Sequence, residues 1–148
     1  MELNLGLLAG GVLVSLALAA GMFLRFSSGR GKRVSSSEAI DLSKLKAQKG
    51  KSLAKKFGAK ATLLQFSTEY CGICPGVSRQ LSQLEKENKS LLYLEVDITN
   101  RLDLAAHFSI TQTPTIFVLD SKGLIKFRVS GAPKPGILQT ELQKLGAL

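Results

Sequence analysis

Hydrophobic residues dominate the start of this 148-residue chain. No charged side chain occurs from Leu3 to Leu24, and only Asn4 and Ser15 are clearly polar there. A helix of this length rises about 33 Å, which is enough to cross the ~30 Å hydrocarbon core of a bilayer. A cleaved signal peptide is the competing interpretation, but the segment lacks a basic n-region and its apolar run continues past the small residues Ala17-Leu18-Ala19. The pattern therefore predicts a transmembrane anchor over residues 1–25.

From residue 60 onward, the spacing of apolar positions changes several times along the chain. Short apolar runs typical of buried strands alternate with segments whose apolar residues recur every three or four positions, as in amphipathic helices. The predicted strands are 61–67, 91–97, 114–119 and 124–129, and the predicted helices are 74–88, 101–108 and a last segment carrying Ile137, Leu138, Leu142 and Leu145. This order predicts an α/β fold over residues 60–148, in which a parallel strand pair and an antiparallel hairpin form a central mixed sheet with helices on both faces.

Residues 26–59 show no comparable pattern. The glycine, serine and basic residues of 26–37 predict a flexible tether. Ser35 and Glu38 have the spacing of a capping box. The apolar residues of 38–58 fit either a short strand and a helix at the edge of the domain or two loose helices. The sequence therefore predicts a basic juxtamembrane tether followed by edge elements whose structure it leaves open.

The positive charge of the chain is concentrated beside the predicted anchor. Residues 25–60 carry eleven basic and two acidic side chains, which accounts for the whole formal net charge of +9. Basic flanks stay on the cytoplasmic side of a membrane, so the charges place the domain in the cytoplasm, with an extracytoplasmic domain as the alternative. The same side chains are predicted to contact anionic lipid. Nucleic-acid binding is not supported, because aromatic residues are not interleaved with the basic ones.

Small residues recur within the predicted anchor. Gly6 and Gly10 form a G-x-x-x-G pair, a spacing that lets two membrane helices approach closely. Such spacing is also common by chance in spans rich in small residues. The pair therefore predicts at most a weak homodimer.

The two cysteines of the chain, Cys71 and Cys74, form a C-x-x-C motif between the predicted strand 61–67 and helix 74–88. The first N–H groups of a helix are unpaired and its dipole is positive there, so this position stabilises a thiolate and lowers the pKa of a cysteine. The spacing keeps both sulfurs at the same helix end, close enough to form a small ring. These features predict thiol–disulfide exchange, with Cys71 as the exposed attacking thiolate and Cys74 as the resolving thiol.

Two other uses of a C-x-x-C motif fit this sequence less well. A zinc ion needs four ligands, and His107 is the only other cysteine or histidine, so only a zinc-bridged dimer would complete a site. A structural disulfide across so short a loop would add little stability. The sequence therefore predicts no metal and no bound cofactor. We expect His107 to be a surface or half-buried side chain and Asp97 to cap the turn after the second strand.

Three further features accompany the C-x-x-C motif. Thr113-Pro114 precedes an apolar strand, Gly123 lies at the hairpin turn, and Gly131-Ala132 precedes the last helix. With these features, the segment from Ala61 to Leu145 resembles the thioredoxin family, in which the proline is cis and lies against the cysteines. The resemblance implies a thioredoxin-like fold and a redox-active Cys71–Cys74 disulfide.

The resemblance also implies a groove that holds an extended segment of the substrate by backbone pairing. Carried onto this sequence, the substrate-binding residues are Tyr70, Gly72, Ile73, Thr113, Pro114 and Ala132. Two of them differ from the usual pattern, because Tyr70 stands where a tryptophan is usual and Ile73 where a proline is common. The redox potential of a typical member therefore does not transfer to this chain.

A third departure concerns the proton of Cys74. Many members of the family place a buried acid six residues before the first cysteine, where this chain has Gln65. Glutamine cannot accept a proton. Glu69 and Glu95 are the remaining candidates for that role, although we expect Glu69 to be solvated.

Taken together, these features predict a membrane-anchored thiol–disulfide oxidoreductase. Its partners would be protein thiols and disulfides and an electron donor that the sequence does not identify. In a reducing compartment such as the cytoplasm the predicted role is that of a reductase. The alternative is a non-catalytic binding or redox-sensing module that docks a membrane partner.

Overall fold

A long N-terminal helix precedes a domain built on a mixed sheet. The computed structural model describes residues 2–27, 29–34, 36 and 39–148. In chain order its elements are α1 (Glu2–Ser27), β1 (Gly31–Arg33), α2 (Leu42–Leu45), β2 (Gln48–Lys49), β3 (Ser52–Leu53), β4 (Ala61–Ser67), α3 (Cys74–Glu87), β5 (Leu91–Asp97), α4 (Leu102–His107), β6 (Thr115–Asp120), β7 (Ile125–Ser130) and α5 (Ile137–Lys144).

The strands of the described residues form one sheet in the order β1-β7-β6-β4-β5-β2-β3. β4 pairs in parallel with β5 and antiparallel with β6, and β6 pairs antiparallel with β7. The predicted combination of a parallel pair and an antiparallel hairpin is thus confirmed. β4 and β5 have the predicted bounds, whereas β6 and β7 each begin and end one residue later than predicted.

The central strand β4 is buried along its whole length. Successive side chains of a strand point to opposite faces. Ala61 and Leu63 therefore join a core cluster with side chains of α3 and α5, whereas Leu64 and Phe66 join a second cluster with side chains of α2 and α4. Helices cover both faces of the strand, so its polar side chains are buried together with its apolar ones. Gln65 and Ser67 are the polar residues of β4 on the α3 face, and the exposed fraction of Gln65 is 0%.

The segment predicted as a flexible tether is partly ordered. β1 pairs antiparallel with β7, with Gly31 opposite Val129 and Arg33 opposite Phe127. The tether prediction is therefore wrong for residues 31–33. The backbone groups that order β1 belong to a strand almost a hundred residues away, so no local sequence pattern reveals the pairing.

Residues 40–53 contain a short helix and two short strands, β2 and the edge strand β3, rather than two loose helices. Asp41 caps α2 by accepting a hydrogen bond from the Ser43 amide at 3.0 Å. Leu42 and Leu45 are buried in the core, and Gln48 of β2 pairs with Glu95 of β5. This part of the core lies ahead of the domain boundary that the sequence predicts at residue 60. The capping box predicted for Ser35 and Glu38 lies outside the described residues.

Helix α1 matches the apolar segment at the start of the chain. Its stretch Gly6–Phe26 has a mean hydropathy of 2.3 and is 0% buried within the protein. By length and composition this stretch can cross a membrane, and a signal sequence near an N-terminus would have the same properties. A Cβ added to Gly6 or Gly10 would meet none of the described residues beyond the helix itself within 4 Å, so this face of α1 is open.

Candidate active site

The C-x-x-C motif lies where β4 passes into α3. The Cys71 amide donates a hydrogen bond to the Thr68 carbonyl at 3.1 Å, and the Cys74 amide donates one to the Cys71 carbonyl at 3.3 Å. These turns bring Cys74 to the first position of α3, followed by Pro75 in the first helical turn. Proline suits this place because the first N–H groups of a helix have no partner within it. The motif thus sits at the positive end of a 14-residue helix.

The two cysteines form a disulfide in this structure, with their Cα atoms 5.4 Å apart. Their exposure differs. Cys71 is half-buried, whereas Cys74 has an exposed fraction of only 3%. Cys71 is therefore the more accessible of the two residues, while Cys74 is shielded by the domain.

Two distant loops meet beside the motif. The Thr113–Pro114 peptide bond is cis, and the Thr113 hydroxyl lies 3.4 Å from the hydroxyl of Thr68, at the start of the cysteine loop. The Pro114 carbonyl accepts a hydrogen bond from the Gly131 amide at 2.7 Å. The structure thus brings the loops around residues 68–74, 113–114 and 130–132 together, although they are far apart in the sequence.

The six residues predicted to bind substrate differ in accessibility. Tyr70 and Ile73, which flank the cysteines, have exposed fractions of 84% and 55%. Gly72 and Ala132 are also exposed, Thr113 is half-buried and Pro114 is buried. A hydrogen bond with Glu69 raises the pKa of the Tyr70 phenol above its ordinary value. Two large exposed side chains, Tyr70 and Ile73, thus flank the cysteines.

A buried polar cluster lies directly beneath the motif. The Gln65 amide donates to the Ser78 hydroxyl at 3.1 Å and to the Cys74 carbonyl at 3.4 Å. The Tyr93 hydroxyl donates to the Gln65 side-chain oxygen at 3.2 Å and lies 3.3 Å from a carboxylate oxygen of Glu95. The other carboxylate oxygen of Glu95 accepts from a serine hydroxyl of β4 at 2.7 Å. Every member therefore has a partner, as buried polar groups require.

The cluster shows which carboxylate lies nearest to Gln65. Gln65 and Glu95 are neighbours in the parallel register of β4 and β5, so they lie on the same face of the sheet. Glu69 is exposed, and its amide donates to the Thr99 hydroxyl at 3.0 Å. Burial, reinforced by the charge of Glu95, raises the pKa of Tyr93 above its ordinary value, so its phenol remains a hydrogen-bond donor. Sequence reasoning named Glu95 but missed Tyr93, because its place beside Gln65 depends on the register between the two strands.

Removing the Tyr93 hydroxyl tests the importance of this cluster. We expect Tyr93→Phe to destabilise the domain by about 1–3 kcal/mol, because the buried side-chain oxygen of Gln65 loses its donor. The measurement is urea unfolding of the full chain in detergent, followed by circular dichroism. Tyr70→Phe is the matched control, since Tyr70 is 84% exposed, and its unfolding midpoint should stay unchanged. Equal midpoints for both variants would contradict the role assigned to Tyr93.

Asp97 and His107, the two other polar residues singled out by the sequence, each contact neighbouring side chains or backbone. Asp97 accepts a hydrogen bond from the Thr99 amide at 2.8 Å, which confirms its predicted capping role. His107 is exposed and packs edge-on against Phe108, with ring centroids 4.6 Å apart. Among the described residues, no group of three or more His, Cys, Asp or Glu side chains is placed to hold a metal ion.

Comparison with known proteins agrees with this geometry. The model of the family described as Thioredoxin matches residues 42–144, which is more than two thirds of the chain. This chain belongs to the thioredoxin family. The match begins at α2, consistent with the part that Leu42 and Leu45 play in the core. Family membership, together with the Cys71–Cys74 disulfide, supports thiol–disulfide oxidoreductase activity.

The alignments with individual relatives cover different shares of those proteins. The chain is 31% identical over 103 residues to the TPR repeat-containing thioredoxin TDX of Arabidopsis thaliana, covering 69% of this chain but 27% of that protein. It is 29% identical over 80 residues to a thioredoxin of Echinococcus granulosus, covering 54% of this chain and 74% of that protein. The crystal structure of thioredoxin f from spinach chloroplast has a TM-score of 0.51 and 26% identity, covering 60% of this chain and 73% of the other.

Proposed function

We propose that this protein is a membrane-anchored thiol–disulfide oxidoreductase that reduces disulfides of other proteins through Cys71 and Cys74. The observation that carries the proposal is the unequal exposure of the two sulfur-bearing residues at the start of α3. The half-buried Cys71 is placed to react with a partner, and the buried Cys74 is placed to react only with Cys71. The cis Thr113–Pro114 segment and the exposed Ala132 supply the proposed walls of the substrate groove.

The proposed reaction proceeds in two exchanges. The thiolate of reduced Cys71 attacks a substrate disulfide, forming a Cys71–substrate bond and releasing the first substrate thiol. Cys74 then attacks the Cys71 sulfur, which releases the second substrate thiol and leaves the Cys71–Cys74 disulfide. Two electrons and two protons pass to the substrate, and an external dithiol reductant restores the enzyme. The positive end of α3 favours the thiolate that starts each turnover.

Helix α1 is the proposed membrane anchor. Its apolar stretch Gly6–Phe26 is long enough for a single span, and the exposed basic side chains that follow it, including Arg30 and Lys32, favour contact with anionic headgroups. The same charges favour a cytoplasmic domain, where the reducing surroundings suit a reductase. An extracytoplasmic domain is the alternative. The open faces of Gly6 and Gly10 are compatible with a weak homodimer.

Gln65 favours a second candidate function. Its amide is fully engaged with Ser78, Tyr93 and the Cys74 carbonyl, and it cannot accept a proton from the Cys74 thiol. A domain without an efficient base at this position would suit a binding or redox-sensing module that docks a membrane partner through the same groove. The two functions differ in whether covalent intermediates accumulate.

A trapping experiment distinguishes them. We expect Cys74→Ser, expressed in cells and quenched with acid, to accumulate mixed disulfides on Cys71, because the resolving thiol is missing. Non-reducing gels and mass spectrometry of the membrane fraction measure the adducts, and the known compartments of the trapped proteins report on which side of the membrane the domain lies.

The double variant Cys71→Ser/Cys74→Ser is the matched control and should carry no adducts. If Cys74→Ser also carries none, while remaining folded by circular dichroism, the oxidoreductase proposal fails and the binding module takes its place.

A further inference from the structure

Gly29, which follows the proposed anchor α1, packs against the domain on the side of the active site. Gly29 is buried. Its amide donates to the Ser130 carbonyl at 2.8 Å, and its carbonyl accepts from the Lys134 amide at 3.4 Å. The Lys134 ammonium also donates to the carbonyl of Phe26, within α1, at 3.1 Å. The end of the helix and the loop that leads to α5 are therefore in direct contact.

Two glycines make this close approach possible. Gly29 has a φ of +73°, and a Cβ there would lie 2.2 Å from the carbonyl oxygen of Ala132. A Cβ on Gly31 would lie 1.8 Å from the ring of Phe127. A larger residue at position 29 would force the backbone away from Ala132, whereas one at position 31 would require the Phe127 ring to shift. The sequence Gly29-Arg30-Gly31 is thus suited to dock the chain onto the domain immediately after α1.

The docked loop also contacts the cis Thr113–Pro114 segment. Gly131 lies between Ser130 and Ala132 and donates its amide to the Pro114 carbonyl at 2.7 Å. The adjacent Thr113 hydroxyl lies 3.4 Å from that of Thr68, three residues before Cys71. A continuous series of contacts therefore joins the end of α1 to the cysteine loop.

These contacts hold the loop that leads to α5 close to the end of α1. The apolar stretch of α1 ends at Phe26, so the Phe26 carbonyl and the Lys134 ammonium bound to it would lie at the headgroup layer, which is about 5–7 Å thick on each side. Gly29 is three residues further on and therefore at most about 10 Å from Phe26. Arg30, Lys32 and Lys134 are exposed around this junction, where they would contact lipid phosphates.

We propose that the substrate groove opens at the bilayer surface, and that its substrates are disulfides of membrane proteins held close to the headgroups. This inference rests on the proposed function, since it requires both the anchor and the exchange reaction. Because Gly29 and Gly31 attach the chain to the domain directly after α1, the groove stays near the bilayer surface. A flexible tether would instead let the domain sample the aqueous phase and reach soluble substrates equally well.

The test uses the reduced full chain reconstituted in phosphatidylcholine vesicles that contain phosphatidylglycerol. Two transmembrane peptides carry the same quenched fluorescent disulfide, one about 5 residues and the other about 40 flexible residues beyond the span. The same disulfide free in solution is the third substrate. We expect the near disulfide to be reduced about 10-fold faster than the far one, because the fixed groove gives it the higher effective concentration.

Two insertion variants provide the matched comparison. About 20 glycine and serine residues between Ser27 and Ser28 would allow the domain to move by about 25 Å, and the near and far rates should become equal. The same insertion at the exposed Gly50 turn, at the opposite edge of the sheet, should keep the preference for the near disulfide. All three proteins should reduce the free disulfide at the same rate, which also shows that they are folded.

The failures of the two proposals are distinguishable. Equal near and far rates for the unmodified chain, with the free disulfide reduced normally, would overturn the membrane-surface inference and leave the oxidoreductase intact. No reduction of the free disulfide would overturn the oxidoreductase proposal itself. A Ser27–Ser28 insertion variant that keeps the near preference would show that Gly29 docking does not set the height of the groove, which also contradicts the inference.

Discussion

Replacing Cys71 with serine is expected to reduce the rate of disulfide reduction by on the order of 10³-fold or more. A serine hydroxyl is a far weaker nucleophile than a thiolate, and Cys74 cannot take its place because its exposed fraction is only 3%. The measurement is reduction of a soluble protein disulfide by the full chain in detergent, with dithiothreitol as the electron donor. Cys71→Ser should show neither turnover nor a covalent adduct.

Cys74→Ser should behave differently from Cys71→Ser. It retains the attacking thiol, so we expect a single rapid burst of adduct formation followed by slow release. Ser121→Ala, in the exposed β6–β7 turn, is the control for handling and folding and should keep the full rate. A Cys71→Ser protein that still turns over, with Cys74→Ser inactive, would reverse the roles proposed for the two cysteines.

Replacing Phe66 with alanine is expected to cost about 3–5 kcal/mol of unfolding free energy. Phe66 is 0% exposed on the central strand β4. Its ring centroid lies 5.0 Å from that of Phe117 and 5.5 Å from that of Phe108. The substitution would leave a cavity among the two remaining rings. Because small domains have a total stability of about 5–15 kcal/mol, the variant should unfold at a much lower urea concentration.

The control for this prediction is Leu53→Ala. Leu53 lies on the edge strand β3 with an exposed fraction of 61%, so its truncation should change the unfolding free energy by less than about 0.5 kcal/mol. Both variants would be compared with the unmodified chain by urea unfolding, and their m-values should equal that of the unmodified chain. A loss below about 1 kcal/mol for Phe66→Ala would show that the aromatic cluster closes over the cavity, contrary to the expected cost.

The elements of the sheet domain were predictable because their patterns are local. The apolar run of Ala61–Ser67 and the period of Val77, Leu81 and Leu84 on α3 each follow from burial of one strand or one helix face. The position of the cysteine pair between those two elements followed directly, and with it the redox interpretation. The long apolar run at the start of the chain predicted α1 for the same reason.

The edge elements were not predictable, because their partners are distant in the chain. β1 exists through pairing with β7, and Gln48 of β2 through pairing with Glu95. A basic segment rich in glycine and serine carries the pattern of a tether whether or not such an edge is available. The fully hydrogen-bonded state of Gln65 likewise depends on Tyr93 and Ser78, which reach it from two other elements.

The sequence by itself therefore determined the order of strands and helices from residue 60 onward, the membrane-compatible helix and the placement of the two cysteines at the start of α3. Only the tertiary structure decided which carboxylate joins Gln65, that Tyr93 donates to it, and that Gly29 docks against the loop that contacts Pro114. The physical reason is the distance along the chain over which each interaction acts. Periodicity and helix-end chemistry act over a few residues, whereas burial, cross-strand register and the close contact of Gly29 with Ala132 arise only when distant segments fold together.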